Sequence, residues 1–189
     1  MRTSVLAAIP IAAASFMLAS VSLAQTSATG SVKAAGESTT SLSASDRRFM
    51  EKVARDCMAE VQMGQLAKDR GLREEVKEFA NRMVTDHSAV NDALQSLAAA
   101  KGVALPSQIA RKDQRAMDKL GRALGPDFDR AYMGHIVSDH AKDVAAFRRE
   151  AENGKDADVR NFAASKIATL EDHMRAARVT RDIVQGTRR

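Results

Sequence analysis

The chain has 189 residues, 44% hydrophobic and 28% charged, with a formal net charge of +5. Acidic and basic residues alternate along it with no basic block except the closing Gly-Thr-Arg-Arg; Trp is absent and Tyr132 is the one tyrosine. That composition lacks the basic stripe and stacking platforms of a nucleic-acid binder, and a single cysteine, Cys57, excludes an internal disulfide, so an apolar core must hold the fold together.

The first 24 residues have the pattern of a secretory signal peptide. Arg2 is followed by the uncharged run SVLAAIPIAAASFMLASV, which closes on Ser22-Leu23-Ala24 before Gln25. The expectation is export to the periplasm or outer membrane, with a mature chain near +4 after the loss of Arg2. No cysteine lies at the cut, which argues against a lipoprotein, and no later run is long and apolar enough to span a bilayer. Residues 25–44 are Ser, Thr, Ala and Gly with little apolar bulk, which predicts a flexible leader. The folded domain is expected over residues 45–185.

From there the apolar period is helical. Met50, Val53, Cys57, Val61 and Gly64 recur at three- and four-residue steps, with Ser45 as the expected N-cap and Gly71 as the stop. Val76, Phe79, Ala80, Met83, His87, Val90, Leu94 and Leu97 form the second stripe, ending at Lys101-Gly102. VALPSQ breaks the pattern at Pro106, and a short helix is predicted over 108–122 with Ile109, Met117 and Leu120 as its contacts. Gly125-Pro126-Asp127 opens the next long helix, since Pro fits a first turn. Its stripe is Phe128, Met133, Ile136, His140, Val144 and Phe147, and Asn153-Gly154 ends it. Asp156 is placed to cap the last helix, with Val159, Phe162, Ala163, Leu170, His173, Met174 and Ala177 inward. Nothing alternates with strand period. Two short links and one crossover of roughly two dozen residues predict an all-α, ferritin-like antiparallel four-helix bundle with a short extra helix between helices 2 and 3.

Three of the four histidines directly follow an aspartate, and each lies in the stripe of a different long helix: His87, His140 and His173. Glu60 sits at the edge of the first stripe. In an antiparallel hairpin, residues equidistant from the turn are neighbours. The Glu60/His87 and His140/His173 pairs both centre just past their turns, so these four side chains are predicted to share one layer. One carboxylate and three imidazoles suit one transition metal ion, namely zinc, iron, manganese or copper. A metal-free hydrogen-bond network among Glu60, the histidines and Asn91 fits the same positions. Asp86, Asp139 and Asp172 lie about 100° round their helices from the histidines, which suits them to bond a neighbouring helix or to back a ligand. Asp143 and Asn91 are further inner polar groups, His135 is expected at the surface, and Cys57 and the methionines are read as core packing.

The stretches FANRMVTDHSAVNDAL, AAKGVALP, FDRAYMGHIVSDHAKDV and FAASKIATLEDHMRAAR resemble the bacterial secreted family of domain of unknown function 4142 over roughly residues 45–183. Its signatures are FA-x-x-M-x-x-DH, GV-x-LP, FD-x-x-Y and a late L-x-x-H. The resemblance implies a ferritin-like fold and an envelope location, carries no established reaction, and maps recurrent polar positions onto Glu60, Asp86, His87, Asn91, Tyr132, His140 and His173. Val84 and Leu170 stand where the Glu of a Glu-x-x-His di-iron motif would be, which argues against a carboxylate-rich di-iron centre. Two functions fit the sequence: a non-enzymatic exported protein that binds a metal in metal handling or envelope stress tolerance, or a metal-free module that binds a protein partner in the envelope. A redox enzyme using the same site would need an open coordination position and a substrate channel.

Overall fold

A computed structural model describes residues 42–186. The expected signal peptide, and the expected leader up to residue 41, lie outside the described residues. Those described are all-helical, with five helices and no strand among them: α1 Ala44–Arg70, α2 Glu74–Ala100, α3 Arg111–Arg122, α4 Gly125–Asn153 and α5 Ala157–Val184. None of these helices is long and apolar enough to cross a membrane.

The helix ends follow from local chemistry. The N-cap of α1 is Ser43 rather than the expected Ser45; its Oγ accepts from the Asp46 N–H at 3.1 Å, and Ser45 lies one residue inside the helix. Gly71 and Gly154 stop α1 and α4, and Asp156 caps α5 by accepting from the N–H groups of Asp158 and Val159. Helix α3 starts three residues later than predicted, because Ala110 is still extended at ψ 151°. Ile109 is therefore a half-buried loop residue instead of a helical contact.

Residues 71–73 join α1 to α2, and 154–156 join α4 to α5. The chain doubles back at each link. Gly64 faces Ala80 and Val84 so closely that a Cβ there would lie 2.9 Å from Val84 Cγ2. Beyond these two pairs, α1 packs on α4 and α2 on α5, while α3 lies against α1 and α4. Arg70 fastens the end of α3 by donating to the carbonyls of Gly121 and Ala123 at 2.6 and 2.9 Å.

The interior is divided in two. One apolar cluster holds Phe49, Val53, Leu94, Phe147 and Phe162; the other holds Met63, Phe79, Met83, Phe128 and Tyr132. On every long helix the two clusters are separated by a buried polar position, with Asp143 a second one on α4. Glu60 lies between Cys57 and Met63, His87 between Met83 and Val90, His140 between Ile136 and Val144, and His173 between Leu170 and Ala177. Helical side chains three or four residues apart share a face, so an interruption of every stripe at matched height makes a layer.

Candidate metal centre

The layer closes around three imidazoles. Ring centroids are 5.3 Å apart for His87–His140 and His87–His173, and 5.5 Å apart for His140–His173. All three residues are at most 2% exposed, and Glu60 is 4% exposed. One ring nitrogen from each histidine lies within 4.8 Å of the others. Donors around a tetrahedral ion at ~2.05 Å stand about 3.3 Å apart, so modest side-chain rotation brings three such nitrogens to bonding distance.

Two of the three rings hold their other nitrogen against a carboxylate. His87 Nδ1 is 2.7 Å from Glu60 Oε2, and His173 Nε2 is 2.7 Å from Asp86 Oδ2. His140 Nδ1 is 3.3 Å from Glu60 Oε1 and near the Ile136 carbonyl, but neither contact is aligned as a full hydrogen bond. His87 Nε2, His140 Nε2 and His173 Nδ1 have no protein partner. A carboxylate on the outer nitrogen holds the proton there and leaves the lone pair on the inner one, as in metal-ligating histidines. An unpartnered buried polar atom costs about 1–3 kcal/mol, a large share of a total stability of ~5–15 kcal/mol. With His140 Nδ1, four such ring nitrogens lie together here, while Asp113, Tyr132 and Glu150 each carry one unpartnered atom elsewhere.

The electrostatics keep the rings neutral. Burial pushes His87 and His140 down to about 4, with the Glu60 charge opposing it at His140. Burial also lowers His173, against the upward pull of its hydrogen bond to Asp86. Glu60 is pushed up to about 7 by burial, the positive potential at His140 acting the other way. The Cys57 thiol rises well above its ordinary value through burial and the nearby Glu60 charge. At neutral pH the site offers three uncharged nitrogen donors and a protonated thiol.

All four residues expected in the layer are there, but they do not form one set. By distance Glu60 groups with Cys57 and His87, and with His140 and Asp143, while the three histidines make a group of their own. Cys57 is buried as expected, with its Sγ 3.9 Å from His87 Nδ1. The three aspartates that precede histidines diverge. Asp86 holds His173; Asp172 is bound by Arg82 and Arg175; Asp139 pairs with His135 at 3.2 Å and Lys142 at 2.9 Å. Lys52 was not anticipated from sequence: its Nζ binds Asp143 Oδ1 at 2.8 Å and also binds Asp56. Asp46 and Asp129, both buried, were also missed. Asp46 stands beside Arg47 and Asp129 beside Arg130, so each reads as an ordinary solvated charge near a helix start.

Comparison with known proteins agrees with the fold and leaves the chemistry open. The crystal structure of a "putative spore coat protein" from Bacillus halodurans superposes with a TM-score of 0.61 at 15% identity, covering 77% of this chain and 90% of that one. At that identity the likeness concerns the fold alone. No curated protein matches the chain. Residues 31–179 match the family described as "Domain of unknown function (DUF4142)". The chain, with its buried histidine layer, belongs to the family of domain of unknown function 4142.

Proposed function

We propose that this protein is an exported four-helix bundle of ferritin-like arrangement that holds one transition-metal ion between His87, His140 and His173, in metal handling or envelope stress tolerance. The observation that carries the reading is the set of three buried ring nitrogens without protein partners, on three helices at one level. The donors are His87 Nε2, His140 Nε2 and His173 Nδ1. Glu60 and Asp86 orient the rings from behind, and Glu60 Oε1, itself unpartnered, is the nearest further donor. A neutral, nitrogen-rich set suits zinc, copper or iron better than manganese, which favours oxygen. The layer is sealed between two apolar clusters, which suits holding an ion better than turning over a substrate. Export rests on the leader pattern of residues 1–24.

A metal-free envelope module accounts for the contacts of Glu60 and Asp86 with the rings, but leaves the inner nitrogens unpaired. Elemental analysis of the protein purified without a histidine tag separates the two. The metal reading expects close to one zinc, copper or iron per chain, lost in His87→Ala and His140→Ala and kept in His135→Ala. It also expects chelator to lower the melting temperature, because a ligand bound only to the native state stabilises it. No metal, with melting indifferent to chelator, establishes the metal-free module instead.

A further inference from the structure

Between Val53, Asp56, Cys57, Glu60, His87, Val90, Asp143, Phe147 and Leu170 lies a void of about 10 Å³. That is roughly the space for one water-sized particle. Val53, Val90, Phe147 and Leu170 are apolar, so its polar lining is three carboxyl groups, one thiol and one imidazole. Side-chain exposure falls steadily along this lining. Lys52, over the mouth, is 45% exposed; Asp56 and Asp143 are 15% and 9%; Glu60 and His87 are 5% and 3%. Glu60 Oε1 has no hydrogen-bond partner. The void therefore adjoins both a carboxylate pair that keeps a little solvent exposure and a buried acceptor in the histidine layer. Lys52 Nζ lies between Asp56 and Asp143, where a cation arriving from solvent would first be held. Lys112 of α3 reaches the outer side of Asp56 at 3.7 Å.

We propose that Asp56 and Asp143 form the entry port for a divalent cation bound for the histidine layer, and that the Lys52 ammonium is its displaceable plug. The proposal rests on the metal reading above. The incoming ion takes the place of the ammonium between the two carboxylates, and Lys52, on a flexible stem, swings out to water. The next stations overlap. Glu60, His140 and Asp143 can hold one ion between them, and so can His87, His140 and His173, with His140 common to both groups. The other approaches are poorer. The groove of about 220 Å³ lined by Cys57, Met58 and Asn91 stops at the thiol, without reaching Glu60 or His87. The approach past His173 is occupied by Asp86, itself bound by Arg82.

The test follows cobalt(II) entering the untagged, metal-free protein by stopped-flow absorption, using the visible bands that appear when imidazoles bind the ion. Lys52→Gln should load about fivefold faster than wild type, as expected for removing a partly exposed ion pair and the repulsion behind it. Lys52→Arg, which restores the plug, should load at the wild-type rate. Asp56→Asn added to Lys52→Gln should slow loading again. All should reach the same final cobalt per chain, which also reports that each variant is folded at the site. Equal end-points with a Lys52→Gln rate no different from wild type overturn the port alone. So does a rate that responds to Met58→Ala or Arg82→Gln but not to Lys52. Wild-type protein that takes up no cobalt overturns the metal site, and the port with it.

Discussion

Asp46 and Asp129 lie as deep as the histidines, at 0% and 1% exposure, yet the two kinds of buried polar group are treated in opposite ways. Asp46, in the first turn of α1, accepts from the backbone N–H groups of Lys155 and Asp156 in the link between α4 and α5. Asp129, near the start of α4, accepts from Leu72 and Arg73 in the link between α1 and α2, at 2.9 and 3.0 Å. Each helix hairpin thus has its turn clamped by a carboxylate from the other. The donors are the N-cap residues of α2 and α5 and the link residues just before them, whose N–H groups have no intrahelical partner. Burial pushes Asp46 up, but the Lys155 and Asp156 amides and the Ser43 and Ser45 hydroxyls together bring it below its ordinary value. At these two clamps, then, burial of charge is offset by complete pairing. In the layer it is not: four ring nitrogens and Glu60 Oε1 lie together without partners, whereas Asp113, Tyr132 and Glu150 each carry a single unpartnered atom elsewhere. The comparison teaches that burial alone does not mark a site; a concentration of unpartnered groups at one level does.

The strongest way to break this contrast is at the clamps. Asp129→Ala removes a buried carboxylate that accepts from the Leu72 and Arg73 N–H groups and should cost about 1–3 kcal/mol in chemical denaturation. At temperatures where the variant stays folded, its metal content per chain should be that of wild type. A comparable loss of metal would mean that the clamp and the layer are not separate devices. Next comes the support behind the ligands. Asp86→Asn removes the charge that orients His173 and should weaken metal binding by about 10- to 100-fold, read by competition with a chromophoric chelator, with little change in metal-free stability.

A smaller effect concerns Glu150, which is buried beside Asp46 and has Oε1 unpartnered. Burial, then the Asp46 charge and a hydrogen bond to Asp46, push it up to about 7. A carboxyl raised on folding binds more protons in the native state between its ordinary value, 4.5, and about 7. The contribution of Glu150 to stability therefore falls as pH rises through that window. After allowance for solvent screening the effect is about 1 kcal/mol. Glu150→Gln should flatten that part of the pH–stability curve, and an unchanged slope would remove Glu150 as its cause. The smallest expected change sharpens the contrast most. In metal-free protein, His140→Leu exchanges a poorly paired ring for an apolar side chain and should cost less than about 1 kcal/mol, although His140 is as buried as Asp129.

The positions of the long helices and the shared level of Glu60, His87, His140 and His173 were legible in the sequence, because both follow from helical period and distance to a turn. The partners of those residues were not. Asp86, Asp139 and Asp172 each stand just before a histidine, yet they bond His173, His135 and Arg82 respectively. Which helix a flanking aspartate meets depends on packing angles that a periodic pattern does not contain. The clamps were hidden for a related reason. Asp46 bonds backbone amides more than a hundred positions away, and an amide has no residue type to recognise. Ser43 took the cap from Ser45 because an N-cap is decided by where the backbone first turns helical, and serines two positions apart offer the same oxygen. Lys52 reads as one more solvated charge until Asp143 is seen beside it.

X-ray absorption at the zinc edge of the zinc-loaded, untagged protein tests the central claim most directly. The account predicts three imidazole nitrogens at about 2.0–2.1 Å, with the imidazole scattering falling from three rings to two in His140→Ala if zinc is retained. Zinc surrounded only by oxygen, or a spectrum unchanged by His140→Ala, would contradict it.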